Sequence, residues 1–176
     1  MTKVSKYVTL REVTFSDTAV RKGIDNIPST DQLELIKVAA EKVFDPLREW
    51  VNGPVKINSV FRGDKLNKAI GGSKTSQHCV GLDPKLNSYG AAFDVDDNFY
   101  HSSITDKDNN DMFHFIKDHL DFDQLIWEFG NKHNPNWVHF SYRPDKNRKQ
   151  VLIAVKQSGK TVYLPYKGNE HLIEKK

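Results

Sequence analysis

Two histidines and an aspartate, His78, Asp94 and His139, have the side-chain types of a catalytic zinc centre. Such a centre takes three nitrogen and oxygen ligands and leaves a fourth position for water. Asp94 falls in the alternating run 91–96, where Ala91, Phe93 and Val95 face one way and Ala92, Asp94 and Asp96 the other. His139 repeats the arrangement in 137–142: Val138, Phe140 and Tyr142 point to one side, Trp137, His139 and Ser141 to the opposite one. His78 lies in polar, turn-rich sequence ahead of the Asp94 run. Two strand-borne ligands and one loop ligand can converge. A strand histidine is equally a packed residue, however, and a lone aspartate equally a solvated carboxylate. Pattern alone leaves both readings open.

Other chemistries are poorly served. No HExxH helix is present, and His114 and His119, five apart, do not share a helical face. Cys79 adjoins His78, so the two side chains diverge, and it has no paired base that would make it a nucleophile. Gly71-Gly72-Ser73-Lys74-Thr75 lacks the earlier glycine and the strand-to-helix setting of a phosphate loop. Lys146, Arg148 and Lys149 read as a solvated basic turn.

The elements that must hold the three candidates follow from periodicity. Ser29 and Gln32 have capping-box spacing, and Leu33, Ile36, Ala39, Ala40, Val43, Leu47, Trp50 and Val51 keep a helical rhythm. Pro46 should kink or split that helix, and Asn52-Gly53-Pro54 should stop it. A strand is expected over 55–62, a helical turn over 64–70, and a helix over 110–120. Strands are expected at 91–96, 124–128 and 137–142, with a C-terminal hairpin over about 150–165 and a short tail. Helices early and antiparallel-looking strands late predict an α+β fold with a small antiparallel sheet, as one domain over 1–176.

The composition bounds the partners. Lys and Arg number 26 against 23 Asp and Glu, a balance of +3. With no interleaved aromatic and basic runs, that argues against nucleic acid and allows an anionic polymer. A single cysteine requires no oxidising compartment. No run approaches the roughly 20 apolar residues of a membrane span. Residues 1–11 carry early positive charge without a continuous apolar stretch, so no secretory signal is expected.

The wording around the three candidates is more specific. Ser59-Val-Phe-Arg62, Leu66-Asn67 through Ser76-Gln-His78, Gly90-Ala-Ala92-Phe-Asp94 and Trp137-Val-His139-Phe-Ser141 occur in that order. This resembles the zinc D-Ala-D-Ala carboxypeptidase family, which includes the L-Ala-D-Glu and related endopeptidases of peptidoglycan. Arg21 to Pro28 and the closing Lys-Thr-Val-Tyr-Leu-Pro segment also look like members of one branch. The resemblance implies a Hedgehog/DD-peptidase-like fold, zinc on His78, Asp94 and His139, and Arg62 holding a substrate carboxylate or carbonyl. It also places Ser76 near the bound peptide, where its alternative is to cap a turn. Trp137 packs against the ligand or the peptide, or is simply buried.

Two departures from the family pattern matter. Residues 80–89 look like an inserted surface loop, cheap in closure entropy and placed to rim the cleft. Many relatives carry an acid three residues before the last histidine; here that residue is Asn136, which takes no proton. Glu128 is the expected general base, with His133 as the alternative. The expected function is zinc-dependent hydrolysis of peptidoglycan stem peptides by a monomer, as a phage endolysin or wall-remodelling enzyme. It would act on the wall after release from the cytoplasm of the producing cell. A non-hydrolytic zinc-containing wall-binding module of the same fold is the alternative.

Overall fold

A computed structural model describes residues 2–97, 105–168 and 173. Two short helices precede the first expected one. Helix α1 (Leu10–Thr14) starts from a capping box between Thr9 and Glu12, and α2 (Asp17–Lys22) starts at Ser16 and closes on Gly23 in the left-handed conformation. The Ser29–Gln32 capping box opens α3 (Thr30–Ala39). The helix does not break at Pro46. A π-helical turn, Ala40–Phe44, leads directly into α4 (Asp45–Val51), with Pro46 in its first turn. Proline lacks an N–H and its ring crowds the carbonyl four residues back; the wider turn supplies room just ahead of it.

The chain continues as β1 (Lys56–Ser59), α5 (Asp64–Ala69), a 3-10 turn (Gln77–Cys79), β2 (Ala91–Asp96) and α6 (Asn109–His119). It ends in β3 (Gln124–Glu128), β4 (Trp137–Tyr142), β5 (Gln150–Gln157) and β6 (Lys160–Pro165). The six strands form one sheet in the order β1-β2-β4-β3-β5-β6. The fold is α+β, as expected. The sheet is mixed rather than wholly antiparallel, because β3 and β5 run parallel.

The cause lies in the connection 143–149. Strand β4 ends beside the start of β3, since Gln124 faces Ser141. Arg148 then clamps the fully buried Asp123 through its backbone N–H and its guanidinium, and Gln150 N–H bonds the Asp123 carbonyl at 2.9 Å. The chain is thus delivered to the free edge of β3 at its starting end, and β5 must leave in the same direction. Lys149 pairs with Asp121 and the Leu120 carbonyl. The expected solvated basic turn is therefore partly a structural staple. The hairpin β5–β6 forms as expected, through Ser158 and Gly159 at positive φ. The tail past Gly168 lies outside the described residues, except for residue 173.

One face of the sheet builds the core. Phe93, Val95, Leu125, Trp127, Val138, Phe140 and Ile153 meet Ile36, Val43, Phe44, Leu47, Met112, Phe113 and Ile116 from the helices. Phe93 stacks between Phe44 at 5.8 Å and Phe140 at 5.3 Å. Each such side chain contributes about 1.5–3 kcal/mol on burial, enough to fix which face of each strand looks outward. The opposite face carries Asp94, His139, Ile126 and Glu128 and floors a cleft.

Gly90 leads into β2 at φ 93°, and a Cβ there would sit 2.2 Å from the Tyr142 carbonyl oxygen. Gly90→Ala is expected to lower the unfolding free energy by at least about 2 kcal/mol, read by urea titration. An unchanged midpoint and slope would show that the β2–β4 contact does not need glycine.

Candidate metal centre and active site

Asp94 and His139 are direct cross-strand partners on β2 and β4. Because paired residues share a face, burying Phe93 and Phe140 in the core turns both ligands toward the cleft. His78 comes from the 3-10 turn, which Ser76 caps by accepting the His78 N–H at 3.3 Å. His139 Nδ1 lies 2.8 Å from Asp94 Oδ1, and His78 Nε2 lies 3.2 Å from Asp94 Oδ2 and 3.3 Å from His139 Nδ1. One potential ligand atom from each of the three lies within 4.8 Å of the other two, and they form the group of this kind found among the described residues.

The donor set fits a divalent ion. His78 Nδ1 is 2.7 Å from the Val60 carbonyl oxygen. A carbonyl only accepts, so the proton sits on Nδ1 and the neutral ring presents a bare Nε2. That lone pair faces an oxygen of Asp94, which is also an acceptor. A proton or a metal must sit between them. His78 is 1% exposed, and burial, outweighing the pull of Asp94, holds its pKa below the usual histidine range. Protonation is thereby disfavoured. Burial would by itself raise Asp94, but wherever the facing imidazoles carry a proton their charge and hydrogen bonds hold its carboxyl well below the usual range. Two nitrogens and one ionised oxygen with a tautomer fixed by a backbone carbonyl suit zinc.

Glu128 sits diagonally across from His139, since its own partner on β4 is Trp137. It is 5% exposed. Burial pushes its pKa up; His139 and Arg62 pull it back and Asp94 adds to the rise, leaving it at about 7. A carboxyl poised near neutrality beside a metal centre can take and return a proton. Trp137 lines the cleft and packs on Phe129 at 5.5 Å between ring centroids.

Arg62 lines the same cleft and directs Nη2 at Ser76 Oγ, 3.4 Å away, while its buried Nε has no partner. An unpaired buried donor is costly, and a substrate oxygen would satisfy it. Ser76 therefore both caps the turn and steadies the arginine. His133 is not brought to the site: it is exposed in the turn after β3, its N–H on Asn131 Oδ1 at 2.7 Å, and it does not line the cleft. Asn136 is exposed too, bonding the Glu128 carbonyl through its N–H. Burial raises the Cys79 thiol pKa, which suits neither nucleophile nor ligand. Sequence reasoning missed the Val60 carbonyl, which no side-chain pattern announces, and Tyr163 of β6, which lines the cleft opposite the ligands.

A family model described as Peptidase M15 matches residues 6–141. The chain belongs to that family, the zinc D-Ala-D-Ala carboxypeptidase type, and is a metallopeptidase. No curated protein matches the chain. The matched span contains His78, Asp94, Glu128 and His139 and ends before the hairpin β5–β6.

Replacing His78, Asp94 or His139 with Ala is expected to reduce bound zinc after dialysis from about one ion per chain to none, by atomic absorption, with the far-ultraviolet dichroism retained. Stoichiometric zinc in all three variants would place the metal elsewhere. A second expectation concerns the metal-free protein. The folded-state pKa of Glu128, about 7, lies above its ordinary 4.5, so folding retains a proton that the unfolded chain releases. Stability should therefore fall as pH rises from 4.5 to about 7 and stay lower beyond. Glu128→Gln removes that loss. It should stabilise the chelated protein by up to about 3 kcal/mol at pH 8 and little at pH 4, measured by urea titration.

Proposed function

We propose that this protein is a zinc peptidase that hydrolyses an internal peptide bond of bacterial peptidoglycan, with His78, Asp94 and His139 as metal ligands and Glu128 as general base. The observation that carries the reading is the buried, near-neutral Glu128 one diagonal step from a His–Asp–His cluster. When bound, zinc supplies Lewis acidity, polarising the scissile carbonyl and making water easier to deprotonate. Glu128 takes a proton from the attacking water and returns it to the leaving amine. Arg62 offers its unpaired Nε and the rest of its planar fork to a substrate carboxylate or carbonyl.

The choice of an internal bond is supported by the shape of the cleft. A carboxypeptidase needs room for only one residue beyond the bond it cuts. Here a concavity of about 1140 Å³ over β3, β5 and β6 meets a second of about 430 Å³ bordered by Phe15, Phe61, Leu66 and Ile70. Both share Arg62, Asp94 and Trp137, so the metal centre stands where two open lobes join. A chain running through has room on both sides. No helix among the described residues is long and apolar enough to cross a membrane. We propose as its setting a phage endolysin or a wall-remodelling enzyme that reaches the wall after release from the producing cell's cytoplasm.

Mass spectrometry of purified walls after digestion tests the reading. Cleavage inside the stem peptide or cross-bridge, lost on chelation and restored by zinc, is expected. Release of terminal D-Ala alone would overturn the internal-bond assignment. Wall binding by the zinc-loaded protein with no new termini would make it a binding module. Glu128→Gln should lower kcat/KM at least about a hundredfold with zinc content unchanged.

A further inference from the structure

We propose that Tyr163 is a substrate-contacting residue of this active site, its phenolic O–H donating a hydrogen bond to the carbonyl oxygen of the peptide group being cut. The inference rests on the peptidase reading above and extends the site to the hairpin β5–β6, beyond the family-matched residues.

The geometry comes from sheet register. Trp137, Glu128, Ala154 and Tyr163 are successive cross-strand partners on β4, β3, β5 and β6, so all four side chains share the cleft face. Alanine, the smallest of them, stands between the glutamate and the tyrosine. Although Ala154 is on the cleft face, it is 0% exposed, whereas both of its neighbours line the cleft. Glu128 and Tyr163 therefore stand on either side of the covered Ala154, and both border the cleft. Tyr163 is itself 50% exposed, open to a ligand. Among the described residues nothing accepts its O–H, so the donor is free for substrate.

The electrostatics agree with this placement. Burial and the carboxylates of Glu128 and Asp94 push the phenol up to about 12. On a flat sheet Asp94 and Tyr163 would stand four strand spacings, about 19 Å, apart. Asp94, a candidate ligand, and Tyr163 nonetheless line one cavity. At neutral pH the tyrosine is a protonated donor only. In the hydrolysis the peptide C–N bond breaks and a C–O bond to water forms. The water proton passes through Glu128 to the amine. Tyr163 keeps its own proton throughout and stabilises the carbonyl oxygen as negative charge gathers there.

Tyr163→Phe removes the donor and retains the ring. Zinc content and thermal midpoint should match the unmodified protein. On wall fragments, kcat should fall about tenfold or more, with KM changed less than about threefold, since the bond strengthens as charge develops. A kcat within about twofold of the unmodified enzyme would overturn the proposal. So would an unchanged plateau with a displaced acid limb of the pH–rate profile, which would make Tyr163 a positioning residue for Glu128. The unmodified zinc-loaded protein is assayed alongside: if it cuts nothing, the peptidase reading fails first, and Tyr163 has no reaction to serve.

Discussion

The Val60 carbonyl takes the Nδ1 proton of His78 at 2.7 Å, and the rest of the centre follows from which nitrogen is left bare. His78 is the one candidate ligand outside the sheet, so nothing in strand register orients it. The backbone does this instead. Its carbonyl accepts the Arg62 N–H at 2.9 Å while its ring donates to Val60, so residues 60 and 62 grip both ends of the histidine. The same clamp sets the origin of the Arg62 side chain. Candidate ligand and cleft-lining guanidinium are thus referenced to one short stretch after β1. A side-chain partner would add rotamers of its own; a main-chain carbonyl adds none.

The two faces of the sheet divide stability from chemistry. On the core face, aromatic and branched side chains interdigitate with α3, α4 and α6. On the cleft face the protein keeps groups that burial disfavours: a carboxyl raised to about 7 and a guanidinium with an unpaired buried Nε. Neither would persist in a sheet lacking its apolar side, because each costs on the order of 1–3 kcal/mol. The core holds the register, and the register places Glu128 diagonally across from His139 whether or not the glutamate is comfortable there.

Much of this was legible where period-two alternation is strict. In 91–96 and 137–142 the apolar residues define the core face without ambiguity, and the candidate ligands lie on the face that remains. Glu128 was legible as a carboxylate at the end of an apolar run, but its depth was not, since burial is set by packing between strands distant in sequence. The parallel β3–β5 pairing escaped because its cause is a single contact, Arg148 on buried Asp123, between residues that each resemble ordinary surface charges. A strand-end position ranks Glu128 ahead of His133 in the sequence, and the turn after β3 sends His133 into solvent and leaves Glu128 on the strand. Tyr163 needed parity carried across three strand pairings, one of them the unforeseen parallel one.

The segment 80–89 between His78 and Asp94 shows how a long connection need not loosen a candidate metal site. Gly81 N–H bonds the Ser88 carbonyl at 2.8 Å, and buried Gln77 reaches the Tyr89 carbonyl at 2.8 Å, so the loop is closed at its base. Arg143, just past β4, bonds the Pro84 carbonyl at 2.8 Å and lies over the Tyr89 ring at 5.2 Å. The candidate ligands therefore flank a closed loop base, and the rest of the segment extends outward at a closure-entropy cost that grows only with the logarithm of length. What they do change is the rim, where Asn87 reaches the cleft. The base of the segment, rather than its rim, is what is tied to the residues flanking the candidate site.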